Sequence, residues 1–202
     1  MILTLLLLVI LAVCVAMLHQ EGLWGNTIRL INVVTAGLLA TNCFEPLANT
    51  LQDYLPRHDL YLDFVALWGL FTLFLALMRL ATELASRTVV QFLPLVDRIG
   101  GPLMAATVGW VMICFTLMSL HMAPLSGRFL YGSFQPEKPM FLGMAPDRLW
   151  LGFVQRLSLG AFSRGASPTD PEEHVFDRDG LFLPKYASRR AALDPKPKNP
   201  VP

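Results

Sequence analysis

No lysine occurs before Lys138, and residues 1–123 carry only five basic groups (Arg29, Arg57, Arg79, Arg87 and Arg98) and seven acidic ones. Charged residues make up 15% of the 202-residue chain, against about 25% in an average soluble domain. A segment so poor in charge cannot cover its own surface with polar groups, so its natural solvent is lipid. That excludes a soluble enzyme domain for residues 1–123. A net charge of +1 with no basic stripe excludes an electrostatic nucleic-acid binder. Cysteine is scarce as well: Cys14, Cys43 and Cys114 all sit in apolar stretches, and no C-x-x-C pair exists. Packed, reduced thiols are expected in preference to a disulfide or a metal site. His19, His58, His121 and His174 are dispersed, and H-E-x-x-H, P-loop, G-x-S-x-G and G-x-G-x-x-G motifs are all missing. No catalytic residue, metal, cofactor or small-molecule substrate is therefore expected.

What is present is a series of apolar runs. Residues 1–18 contain no charge and one polar residue, Thr4. As a helix they span roughly 27 Å, close to the hydrocarbon core of a bilayer. A retained helix is favoured over a cleaved signal peptide, because there is neither a basic n-region nor an A-x-A-like site. A second span covers about residues 28–47, with Arg29 at its start and Asn32, Thr35, Asn42 and Glu45 within an arc of about 140° on one helix face. Pro46 is expected to kink or end it. A third span covers about 60–80, bracketed by Asp63 and Arg79, with helical pattern to about Phe92, a Glu83/Arg87 pair at i, i+4, and a break at Pro94. A fourth covers about 99–120, with Pro102 in its first turn. In it Gly101, Ala105 and Gly109 form a small-residue stripe at i, i+4, i+8, and in lipid such stripes let helices approach closely.

Residues 124–202 read as a mostly irregular, proline-punctuated extramembrane tail. One amphipathic helix is expected at about 145–162, with Pro146 and Asp147 as start signals and Leu149, Trp150, Phe153, Val154 and Leu157 on its apolar side. Lying in the membrane interface and packing on the bundle's own loops are equally open to it. Residues 164–173 read as a turn-rich linker, 176–190 as a short ordered piece and the terminal Pro/Lys stretch as disordered. Four spans place both termini on one side. Arg29, Arg79, Arg87 and Arg98 on the connecting loops outnumber Arg57, Arg128 and Lys138 opposite, so both termini are expected outside the cytoplasm.

The polar face of the second span is where chemistry would sit. An intramembrane carboxylate suggests function, and Glu45 with Asn42 and Asn32 could line an ion or proton path. The competing and favoured view puts Glu45 at the interface beside Pro46 and Asn49, with the asparagines as interhelical hydrogen bonds. An aspartyl protease pair of Asp63 and Asp97 is disfavoured, since both sit at span ends.

Gly22-Leu23-Trp24-Gly25 leading to Arg29, then Ala40, Phe44, Pro46, Leu47 and Leu51, resembles the first connection and second span of the colicin V production (CvpA) family. Asp97-Arg98-Ile99-Gly100-Gly101 followed by Gly109 is similar to that family's glycine-spaced fourth span. The resemblance covers residues 1 to about 123. Ala105 stands where a further glycine is usual, and Val108 where a basic residue is common. The resemblance implies a multi-pass bacterial inner-membrane protein linked to colicin V or toxin production or export and to envelope homeostasis. Some relatives carry a trypsin-like protease after the fourth span; this tail has no Ser–His–Asp arrangement.

The expectation is an all-α membrane protein of four transmembrane helices in residues 1–123, followed by the tail. It acts by packing within the lipid bilayer and by contact with its own copies or other membrane proteins, not by catalysis. An oligomeric channel or transporter component with its path along the second span is the rival reading.

Overall fold

The computed structural model describes residues 2–54, 59–85, 92–125, 134–135, 138–160 and 175–193. They form six helices: α1 (Ile2–Leu18), α2 (Gly22–Tyr54), α3 (Asp59–Ala85), α4 (Pro94–Met122), α5 (Pro146–Ser158) and α6 (Phe182–Leu193). Among the described residues the only β pairing is an isolated bridge between Phe141 and Met144. The helices α2, α3 and α4 are each long and apolar enough to cross a membrane. The 17-residue α1 is apolar but shorter.

Two prolines behave differently from the sequence expectation. Pro46 lies inside α2, which runs on to Tyr54. Its ring removes one backbone hydrogen bond, but Phe44 and Ala48 on either side are fully buried in the core, and that packing holds the helix through the defect. Pro94 falls at the expected break, with residues 92 and 93 outside any helix, and starts α4, since an N–H missing in the first turn has no intrahelical partner to lose. Pro102 accordingly falls in the helix interior and not in its first turn. The tail is also more regular than expected. Its amphipathic helix ends at Ser158, with residues 159–160 in a turn, and a second helix, α6, occupies most of the expected ordered piece. Residues 161–162, the linker 164–173, the C-terminal stretch 194–202, and Arg57, His58, Arg87, Arg128 and His174 lie outside the described residues.

α4 is the central element, packed against α1 on one side and α2 on the other, while α3 covers α2. The contacts fix the directions. Leu11 of α1 meets Gly109, and Leu3 and Leu7 share a cluster with Ile113 and Leu117, so α1 runs antiparallel to α4. Gly22 meets Gly101 and Gly37 meets Phe115, so α2 runs parallel to α4. Trp68 and Phe71 of α3 reach Ser119 and Phe115, which makes α3 antiparallel to both. The bundle therefore has two ends: one holds the α1–α2 turn, the other receives the tail.

An aromatic column crosses the core near the tail end. Trp68 packs edge-on to Phe115 at 5.3 Å between ring centroids, Phe71 stacks on it at 4.5 Å, and Trp150 of α5 meets it edge-on at 5.7 Å. A tail helix thus supplies a core side chain. Such aromatic pairs contribute about 0.5–1.5 kcal/mol each beyond area burial.

Candidate functional site

At the α1–α2 turn, residues far apart in sequence close into one junction. Gly22 adopts φ +73°, a left-handed conformation that glycine takes without steric cost. This starts α2 at an angle that aims the Leu23 N–H at Asp97 Oδ1, 2.7 Å away. A carboxylate on α4 thereby caps the positive end of α2. A Cβ at Gly22 would lie 2.9 Å from both Asp97 carboxylate oxygens, and one at Gly101 would lie 3.3 Å from the Gly22 backbone. Asn26, fully buried, donates from Nδ2 to the Leu18 carbonyl at 2.9 Å and the Gly101 carbonyl at 3.0 Å, tying three helices together. Arg29 pairs with Glu21 at 2.6 Å, and Gly25 lies against the Glu21 side chain.

The small-residue stripe of α4 faces inward along this line. Ala105 is fully buried, and a Cβ on Gly109 would sit 2.7 Å from a Leu11 methyl and 3.3 Å from Cys14 Cβ. Gly101 therefore admits the α1–α2 turn and Gly109 admits α1. Both close approaches are within the bundle.

The second-span polar face does not stay together. Asn32 is buried and donates to Thr82 Oγ1 of α3 at 3.0 Å. Thr35 is half-buried, Asn42 is buried, and Glu45 is half-buried at the tail end, where Lys185 of α6 reaches it at 3.4 Å. The face is thus divided between a helix–helix bond at one level and a tail contact at another.

The tail end joins polar groups whose partners the sequence did not indicate. Asp63 is 4% exposed, not snorkelling, and accepts hydrogen bonds from Tyr186 Oη at 2.8 Å and Arg189 Nη1 at 2.5 Å. Burial and the neighbouring carboxylate push the Tyr186 hydroxyl well above the ordinary tyrosine range, so it remains a donor. Arg190 donates to the His121 carbonyl at 2.8 Å, and burial lowers its affinity for a proton. His121 and Asp147 are both buried and pair at 2.9 Å between Nε2 and Oδ2, joining the end of α4 to the first turn of α5. Trp150 fills the space left by Gly37, where a Cβ would lie 2.8 Å from its ring, and donates from Nε1 to Thr41 Oγ1 at 3.2 Å. Asp147 carried a sequence signal, an acid in a helix's first turn, but nothing in the sequence linked it to a histidine 26 residues away.

Asp63 lies at the tail end and Asp97 at the turn end, so the two do not form a pair. Among the described residues no three His, Cys, Asp or Glu side chains are grouped to hold a metal ion. Cys14, Cys43 and Cys114 are free thiols.

Residues 3–134 match the family described as Colicin V production protein. The match spans well over half of the chain, and the chain belongs to this family. No curated protein and no solved structure matches it.

Proposed function

We propose that this member of the Colicin V production protein family is a four-span bacterial inner-membrane protein acting as a non-catalytic assembly or accessory factor in colicin or toxin production or export and in envelope homeostasis. The observation that carries the reading is the use made of its distinctive residues. Gly22, Asp97 and Gly101 meet in one helix junction, Gly109 takes α1, and Asn32 and Glu45 each contact a different element. These groups hold helices at fixed approach and carry no reacting constellation. As a fourth span, α1 would cover roughly 26 Å at 1.5 Å per residue, lying along α4 from Leu117 to Gly109. Crosslinking of the full chain in native membranes tests the role. A defined membrane partner or self-association product is expected, and a chain captured only as a monomer, with its loss causing no envelope phenotype, overturns the reading.

A further inference from the structure

Part of the tail folds back along the bundle instead of resting on its end. Met140 and Phe141 are buried in one cluster with Leu3 and Leu7 of α1 and Ile113 and Leu117 of α4. The Phe141 ring lies 5.8 Å from that of Trp110 between centroids. Trp110 is roughly 16 Å from His121 and the polar tail end, measured along α4 at 1.5 Å per residue. The turn that follows Phe141 therefore sits beside the membrane-crossing part of α4 and not beyond it.

Backbone bonds between Phe141 and Met144, at 3.2 and 2.8 Å, close this turn. Leu142 at φ +48° and Gly143 at φ +77° both adopt the left-handed conformation. Asn, Asp or Gly is usual in the place of Leu142, because a leucine there is sterically strained. Its side chain is nevertheless 66% exposed. An exposed leucine is disfavoured in water and favoured in hydrocarbon.

Helix α5 continues the same surface. Its inner face packs on α4 and α2 through Trp150 and Val154. Its outer face carries Leu149, 58% exposed, and Phe153, 41% exposed, one turn apart. The one acid between Phe141 and Leu159 is Asp147, which is buried against His121. The exposed cations Arg148 and Arg156 adjoin Asp147 and Gln155, whose bonds to His121 and the Asp177 carbonyl hold α5 at the end of the bundle. Side chains there are within reach of headgroups.

We propose that the Phe141–Met144 turn and the outer face of α5 are inserted in the leaflet on the tail side, with acyl chains against Leu142, Leu149 and Phe153. The insertion rests on the membrane-spanning reading of the bundle given above and is independent of the accessory role. Part of the tail is then a membrane-embedded element that docks on the bundle with one face and on lipid with the other.

The test uses the full chain in vesicles of phosphatidylcholine and phosphatidylglycerol, with Cys14, Cys43 and Cys114 replaced by Ser. A nitroxide is attached at Leu142→Cys or Leu149→Cys, with Leu73→Cys on the exposed side of α3 and Asp179→Cys in the tail as references. Collisions with oxygen and with a nickel chelate present on both sides of the membrane are then measured. At Leu142 and Leu149, as at Leu73, oxygen collisions should be frequent and chelate collisions at least about ten-fold rarer than at Asp179, because a polar chelate is excluded from hydrocarbon. A phosphatidylcholine with a photoreactive acyl chain should also label residues 142–153 of the unmodified chain in nanodiscs, and not residues 175–193. Chelate access at Leu142 and Leu149 with Leu73 protected would overturn the insertion alone; access at all three would overturn the membrane-spanning reading with it. Few collisions with either probe, spin–spin broadening between chains, or an unlabelled 142–153 segment would mean that protein covers this face, and would equally overturn the proposal.

Discussion

Gly101 and Gly109 are small for different reasons, and the difference sets what each substitution does. At Gly109 the obstruction is the flexible end of Leu11 together with Cys14 Cβ; at Gly101 it is the Gly22 backbone, which has nowhere to move. Replacing either with Leu overpacks the interface at a cost of about 1–3 kcal/mol. Gly101→Leu is expected to be the more damaging, because it also displaces the α2 cap. Unfolding of the purified chain in a denaturing-detergent titration checks this; equal stability of both variants with the native chain would refute the packing argument. Asp97→Ala removes the acceptor for the Leu23 N–H, and loss of such a cap costs typically ~1 kcal/mol. Faster amide exchange confined to the first turn of α2 is the expected signature. Asp97→Asn retains an acceptor oxygen and should lie between the two.

Helix α1 is the shortest of the apolar helices, so its attachment to α4 is the pairing most in need of a direct check. The Cβ position of Gly109 lies 3.3 Å from Cys14 Cβ, slightly inside the usual disulfide separation of about 3.5–4.5 Å. Gly109→Cys, with Cys43 and Cys114 replaced by Ser, should form an intramolecular disulfide with Cys14 on mild oxidation. A crosslink found between chains instead would place this face of α4 at a subunit contact. Helix α5 is anchored by Trp150, whose ring lies against Gly37 and Phe115. Trp150→Ala should destabilise the docked tail by about 3–5 kcal/mol, the usual range for deleting a buried aromatic. Protease sensitivity should then rise within residues 146–158 while α2 and α4 stay protected.

For the molecule as a whole, Glu45 separates the accessory reading from the channel reading. Its carboxylate is paired with Lys185 of the tail, at a different level from the Asn32–Thr82 bond. A continuous polar conduit would need these groups joined along one path. Reconstituted liposomes are therefore expected to show no ion or proton flux, and flux altered by Glu45→Gln would establish the rival. A periplasm-dependent reporter fused at Pro202 should be active if both termini lie outside the cytoplasm, as the arginine distribution predicts. An inactive fusion would reverse the orientation and leave the packing argument unchanged.

The apolar runs by themselves determined that α1, α2, α3 and α4 are helices, because a backbone in lipid must satisfy its hydrogen bonds internally. The motif glycines and Asp97 were also visible in sequence, as was the small-residue stripe of α4. What they touch was not visible, since helical periodicity assigns a face without assigning the neighbour. The burial of Asp63 under Tyr186 and Arg189, the His121–Asp147 pair and the insertion of Trp150 at Gly37 each depend on chain segments more than 25 residues apart. Only the tertiary structure decided them, because packing selects which polar groups meet and a local pattern constrains only its own turn of helix.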